Sequence, residues 1–133
     1  MRSINIKFPI SDDDRTNRFF ELNRLTKESI SSNLLLLLMT EKGERYYMPD
    51  YGSNLLKYVF EPSDSITVDE IRDELNEVVT KYLPKISINK VESNWIEDDK
   101  TLESGGSNEL HLKIEFLYKD DFFSEVGEIE LSF

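Results

Sequence analysis

The chain has 133 residues, 38% of them hydrophobic and 32% charged, with no cysteine and a formal net charge of −11. That length suits one domain with a real core, and the missing cysteines exclude disulfides and thiolate metal sites. The longest apolar run, residues 34–39, is six residues, far short of the roughly 20 a membrane span needs, and residues 1–7 lack the apolar core of a signal peptide. Residues 1–50 carry 8 basic and 8 acidic side chains, whereas residues 51–133 carry 8 and 19. Such a surface repels a phosphate backbone and argues against nucleic acid as a partner. Simple solvation and a basic protein partner both remain open as readings of the acidic excess.

Taken in order, residues 1–25 form a mixed arm. Ile4, Ile6 and Phe8 alternate like a short strand, Pro9 and the run 12–14 of aspartates interrupt it, and Phe19, Phe20, Leu22 and Leu25 follow without a clean period. A helix is predicted over 27–39 with Thr26 as its cap. Ile30, Leu34, Leu37 and Leu38 share one face and Leu35 and Leu36 widen it, so the helix is buried against a core or a partner. Gly43 stands just past its end, where the chain can turn with positive φ. A short helix over 54–60 is capped by Ser53, with Leu55, Leu56, Val59 and Phe60 as its buried set, and Pro62 ends it. Thr67 and Glu70 then have capping-box spacing, flanked by Ile66 and Ile71 as a hydrophobic staple. Ile71, Leu75, Val78, Val79 and Tyr82 keep helical spacing as far as Pro84.

Beyond Pro84 the period changes to two. Ile86 and Ile88 alternate, then Val91, Ser93 and Trp95 continue in the opposite parity, which predicts a bulge near residues 89–90. Residues 97–108 read as an exposed hairpin loop. Leu110, Leu112, Ile114, Phe116 and Tyr118 alternate against polar neighbours as a half-buried strand, and the chain closes on Ile129, Leu131 and Phe133 in the same pattern. Helices first and about three hairpin-linked strands after them imply an α+β domain, the helices packed on one face of a small antiparallel sheet. The division is a single unit over 1–133: an arm to 25, a helical part over 26–84 and a β part over 85–133.

Chemistry is sparse. His111 is the one histidine and lies on the polar face of a strand, so common zinc motifs are impossible and no metal, cofactor or catalytic residue is expected. A glycosidase-like pair would need two acids at a set separation. Glu44 and Glu61 are the candidates, and both stand near turns, where acids are usually solvated or capping.

Residues 34–62, LLLLLMTEKGERYYMPDYGSNLLKYVFEP, join an apolar helix to T-x-x-G-E-R, then M-P-D-Y-G, then S-x-L-x-x-x-x-F-E-P. This run resembles the baseplate wedge family of contractile phage tails, which includes gene product 25 of T-even-like phages and the TssE protein of type VI secretion. Within it Gly43 and Gly52 permit unusual backbone angles and Pro49 fixes φ between them. Gly43, Glu44, Pro49, Gly52, Leu55, Phe60 and Pro62 form the structural motif. Arg45 can pin the turn through Glu44, Asp50 or Glu61, and Arg45, Tyr51 and Glu61 are candidates to face a partner.

The resemblance implies a late structural protein of the virion tail baseplate, made in the host cytoplasm. It implies six copies arranged by the baseplate from a protein that is monomeric in isolation. It implies sheath initiation, in which sheet edges over 108–133, with Ile129, Leu131 and Phe133, accept arms of sheath protein as added strands. Wedge core-bundle proteins and tube-initiator or hub proteins are the other implied partners. Family members carry Glu-Pro-Arg after the long helix as a core-bundle contact. Leu83-Pro84-Lys85 stands there instead, keeping the proline and the charge but not the acid or the bidentate fork. The alternatives are an acidic lysozyme-like cell-wall hydrolase, an activity described for some members, and a TssE-like component of a secretion baseplate.

Overall fold

The computed structural model describes residues 5–10, 22–23, 25–97, 108–119 and 124–133. Two short strands, β1 (Asn5–Ile6) and β2 (Leu22–Asn23), pair antiparallel ahead of helix α1 (Thr26–Met39). A 3₁₀ helix, η1 (Leu55–Phe60), and helix α2 (Ser65–Tyr82) precede β3 (Ile86–Glu97), β4 (Asn108–Lys119) and β5 (Ser124–Ser132). The rest of the 1–25 arm and the 98–107 loop lie outside the described residues.

The last three strands form an antiparallel sheet in the order β3-β4-β5. Helix α1 lies against β5, α2 against β3 and η1 against β4, so the helices cover one face, as the segregated element order predicts. Leu110, Leu112, Ile114 and Phe116 of β4 meet Leu34, Leu38, Leu55, Ile71, Leu75 and Val79 in that core. The predicted parity switch is present as a register shift between Ile88 and Lys90. Opposite Phe116 stands Gly127, and any larger residue there would put its Cβ into the Phe116 ring. The other face is polar, with Glu92, Lys113 and Glu130 in one cross-strand row and Lys90, Glu115 and Glu128 in the next. Lys113 pairs with Glu128, and Lys90 with Glu92.

Local expectations at three helices are corrected. Thr26 is the first residue of α1 and not its cap; the Glu28 carboxylate reaches back to accept from Leu25 N–H at 3.4 Å. At η1, Leu55 and Val59 are buried as expected, but Tyr58 joins them, while Leu56 is 41% and Phe60 79% exposed. Leu55, Tyr58 and Val59 stand at i, i+3 and i+4 on the side facing the core, and Leu56 and Phe60 lie outside that face. Ser53 does not cap η1, because its hydroxyl donates to Leu38 O at 2.7 Å and Asn54 takes the cap position. Finally, α2 begins three residues earlier than the capping box implies. Asp64 is the cap, accepting from Thr67 N–H at 2.8 Å, so Thr67 is buried inside the helix and Ile66 is exposed instead of stapled.

Candidate functional sites: a clamped turn and an open strand edge

The motif run folds into a turn held mainly by its own backbone. Gly43 N–H donates to Pro49 O at 2.7 Å, Met48 N–H to Arg45 O at 3.3 Å and Tyr51 N–H to Met48 O at 3.0 Å. Its two ends are joined by Ser53 N–H to Thr40 O at 2.8 Å and Lys42 N–H to Ser53 O at 3.2 Å. Gly52, at φ 119°, is pressed against the Thr40 carbonyl, where no side chain fits. Gly43 has a φ of 91° in open space. Glu44 accepts from Glu41 N–H at 3.0 Å, a structural use of the acid. One Glu74 oxygen accepts from both Lys42 Nζ and Asn54 N–H at 3.1 Å, tying the turn to α2.

Arg45 engages none of the carboxylates expected for it. Its guanidinium lies 3.9 Å from the centre of the Tyr51 ring, a cation–π contact. Tyr51 meets Tyr82 of α2 edge-on at 5.1 Å. Burial pushes the Tyr51 hydroxyl up from its ordinary pKa, and the Arg45 charge opposes that shift. Tyr82 in turn lines a groove of about 480 Å³ with Leu83, Pro84, Lys85, Ile30 and Tyr118. The fold therefore brings Arg45, Tyr51, Pro84 and Lys85 to one corner. Glu61 stands apart at the C-terminal cap of η1, exposed, next to exposed Phe60.

This corner also holds residues that periodicity did not single out. Tyr46 and Tyr47, edge-to-face at 5.2 Å, are 90% and 91% exposed at the tip of the turn, with Met48 beside them. The signal available was three consecutive large residues inside a Gly/Pro-bounded turn, where no core is in reach.

The second surface is the outer edge of β5, which has no neighbouring strand among the described residues. Leu110 and Phe133 exchange both backbone hydrogen bonds, at 3.1 and 3.0 Å. In an antiparallel ladder such pairs alternate. With the unbroken register of β4 and β5, the backbone groups of Ile129 and Leu131 are spent on β4. Those of Glu128, Glu130 and Ser132 point to the open edge. Ile129 and Leu131 also have buried side chains, so a strand docking here meets their neighbours' backbone and not their side chains. Phe133 is half-buried against the core. The edge opens onto a groove of about 350 Å³ bounded by Phe8, Asn23, Ser32, Leu35, Ile129 and Glu130. Asn23 fixes its wall, donating to Ser32 Oγ at 2.9 Å and to Asn5 Oδ1 at 2.7 Å.

For catalysis there is less. Glu44 and Glu61 are both exposed and line neither groove. His111 is exposed and contacts Glu109 at 3.2 Å. Among the described residues no three His, Asp or Glu side chains gather as metal ligands.

Both surfaces thus sit on one α+β frame of helices over a three-stranded antiparallel sheet: a Gly/Pro turn clamped by its own backbone, and a β5 edge with no neighbouring strand among the described residues. The baseplate wedge protein gp25 family matches residues 24–121, and the chain belongs to it. It is 32% identical over 74 residues to baseplate wedge protein gp25 of Enterobacteria phage T4, a match spanning 56% of each protein, so the chain aligns with just over half the length of that relative. Among solved structures it resembles a Geobacter sulfurreducens protein named as a candidate tail lysozyme (TM-score 0.60, 21% identity, 84% of this chain and 94% of that one). It also resembles a chain of the anti-feeding prophage baseplate (TM-score 0.61, 21% identity, 84% and 81%). A third is a chain of the type VI secretion baseplate complex (TM-score 0.50, 16% identity, 78% and 90%). At these identities the structures establish a shared fold.

Proposed function

We propose that this protein is a structural component of a contractile-tail baseplate wedge, located in the virion tail, that starts the sheath by accepting arms of sheath protein as strands added to β5. The observation that carries this reading is the β5 edge itself, where Glu128, Glu130 and Ser132 turn their backbone donors and acceptors outward over a groove. An open edge is a liability for a protein that works alone, and its neat register with β4 makes it a template for one more strand. The glutamates on this strand repel a second copy of the same edge, which suits a protein that is monomeric until six copies are arranged by the baseplate. In this reading the chain is not an enzyme, and wedge core-bundle and tube-initiator or hub proteins are its remaining neighbours.

The test is binding of the full-length chain to the sheath subunit of the same particle. Truncating after residue 121 is unsuitable, because it would strip Ile129 and Leu131 from the core. Glu130→Pro is the sharper change. It deletes one outward N–H while leaving the β4 ladder intact, the one side of an edge strand where proline is tolerated. The variant should keep its circular dichroism spectrum and lose sheath binding. Wild-type binding by a folded Glu130→Pro variant would remove the β5 edge from the mechanism.

A further inference from the structure

The groove beside β5 has a lining that strand addition through backbone alone does not require. We propose that it is a side-chain pocket, which takes one apolar residue of the strand added to β5 and so fixes its register, while Glu130 on the other face selects a basic neighbour. The proposal rests on the sheath reading and names the sequence chemistry of the segment that the β5 edge accepts.

Position is the first argument. From β5 the groove is bordered by Ile129 and Glu130, so it lies at one level of the edge. Side chains at the same level on neighbouring strands share a face of the sheet, and that of Ile129 faces the helices. The residue of an added strand that stands level with Ile129 therefore points into the groove. The residues before and after it point to the polar face.

The lining says what that residue is. Phe8 and Leu35 are half-buried and Ile129 is buried, whereas Lys7, Lys27 and Glu28 are exposed and keep their charges at the rim. An apolar side chain seated in the groove would cover surface that Phe8 and Leu35 now show to water. The polar part of the wall is already bonded. Ser32 Oγ accepts from Phe8 N–H at 3.3 Å and from Asn23 Nδ2 at 2.9 Å, which ties the N-terminal strands to α1. The wall therefore stands before any strand arrives, and a preformed pocket has little left to order on binding. A charged side chain pointing inward would lose water without a replacement partner from Phe8, Leu35 or Ile129.

Charge says what stands next to it. Glu128 and Glu130 are exposed on the polar face of β5. Lys113 of β4 is level with Glu130, but its ammonium contacts Glu128. A residue of the added strand level with Glu130 lands beside that carboxylate, where lysine or arginine is favoured and an acid is repelled. The accepted strand thus reads apolar at one position and basic at the next. A slip of one residue reverses both, placing the charge in the pocket and the apolar side chain beside Glu130. A second copy of β5 fails the same test, since its Ile129 is flanked by Glu128 and Glu130.

The experiment titrates the full-length chain and its variants against the cognate sheath subunit at low and high salt, with circular dichroism confirming each fold. Ser31 borders the groove from α1, so Ser31→Trp fills the pocket without touching the backbone of β5. It should weaken binding at least about tenfold, the scale of a hot-spot loss. Glu130→Gln should weaken binding about two- to fivefold, with the deficit shrinking as salt rises. Phe8→Ala should also weaken binding, and its loss should be non-additive with alanine at one apolar residue of the sheath arm. Strict additivity with every arm residue, or a folded Ser31→Trp variant within about twofold of wild type, would overturn the pocket. Unchanged or tighter binding by Glu130→Gln would overturn the basic neighbour. Binding lost in Glu130→Pro but kept in Ser31→Trp sinks this inference alone, whereas a wild type that does not bind sheath sinks the proposed function with it.

Discussion

The clamped turn and the β5 edge both face outward, but they offer a partner opposite kinds of atom. The turn has spent backbone groups on itself and displays side chains, with Tyr46, Tyr47 and Met48 exposed between Arg45 and Tyr51 in the chain. The β5 edge has spent its apolar side chains, Ile129 and Leu131, on the core and displays backbone. Side-chain display gives specificity through shape and charge at a small number of positions. Backbone display gives affinity that tolerates many sequences, with register set by alternate side chains. Under the proposed function the two would divide the work, one surface for fixed neighbours and one for an added sheath strand.

The largest effects should come from the element that supports the turn. Leu55→Ala should cost about 2–5 kcal/mol, since Leu55 is fully buried between the helices and β4. Phe60→Ser, five residues along the same short helix, should stay within about 0.5 kcal/mol. Chemical denaturation of both variants decides the matter. A large loss at Phe60 would mean that its ring is covered in solution and that the buried face of η1 is wider than Leu55, Tyr58 and Val59.

That pair shows where the sequence was readable and where it was not. The long alternations of β4 and β5 name their inward residues without ambiguity, and the change of parity before Val91 marks the bulge, because a period of two leaves a single arrangement. Six residues of η1 with four large apolar side chains at 55, 56, 59 and 60 offer two overlapping faces, so Leu55 and Val59 could be placed but Phe60 could not. The Gly/Pro turn was visible as a motif, and its glycines do occupy positive φ. The partner of Arg45 was not visible, since a nearby ring and a nearby acid look alike in one dimension. Least legible was the β5 edge. Alternation tells which face a residue takes, but only pairing tells which way its backbone points; in the proposed strand addition the outward groups are those of Glu128, Glu130 and Ser132, with Ile129 and Leu131 bonded to β4.

Glycine substitutions in the turn and on β5 should separate the surfaces. Gly52→Ala forces a Cβ toward the Thr40 carbonyl at a φ of 119°, and should cost about 2–3 kcal/mol. Gly43→Ala, with open space around it, should cost about 1 kcal/mol for its φ alone. If the two cost the same, the close approach at Gly52 is relieved by a small backbone shift. Gly127→Ala pushes on the Phe116 ring and should cost about 1–3 kcal/mol as overpacking. Its effect on binding should differ in kind from that of Gly52→Ala. Gly52→Ala should weaken capture of the wedge bundle, and Gly127→Ala should weaken capture of sheath, each assayed where the variant remains folded. Equal damage to both partners from either change would mean that the two surfaces are mechanically coupled.

The smallest effect sits at Asp64, which starts the helix that carries Tyr82 to the corner. Hydrogen bonds from Thr67, its backbone N–H first, hold the Asp64 carboxyl below the usual carboxylate range. A depressed folded pKa means that the ionised cap stabilises the fold above the unfolded value of about 3.9 and loses that contribution as pH falls through the lower folded value. Asp64→Ala should therefore lower the melting temperature modestly at pH 7, by less as the pH drops below about 4, and least once the wild-type carboxyl is protonated and only its neutral carbonyl oxygen accepts from Thr67. Asp64→Asn should keep part of the stability and lose the pH dependence, because the amide oxygen still accepts from Thr67. A wild-type advantage over Asp64→Asn that is flat from neutral to acid pH would show that the charge on this cap contributes nothing. In that case the start of α2 is set by its buried face, Ile71 and Leu75, and the corner at its far end is held from the core and not from the cap.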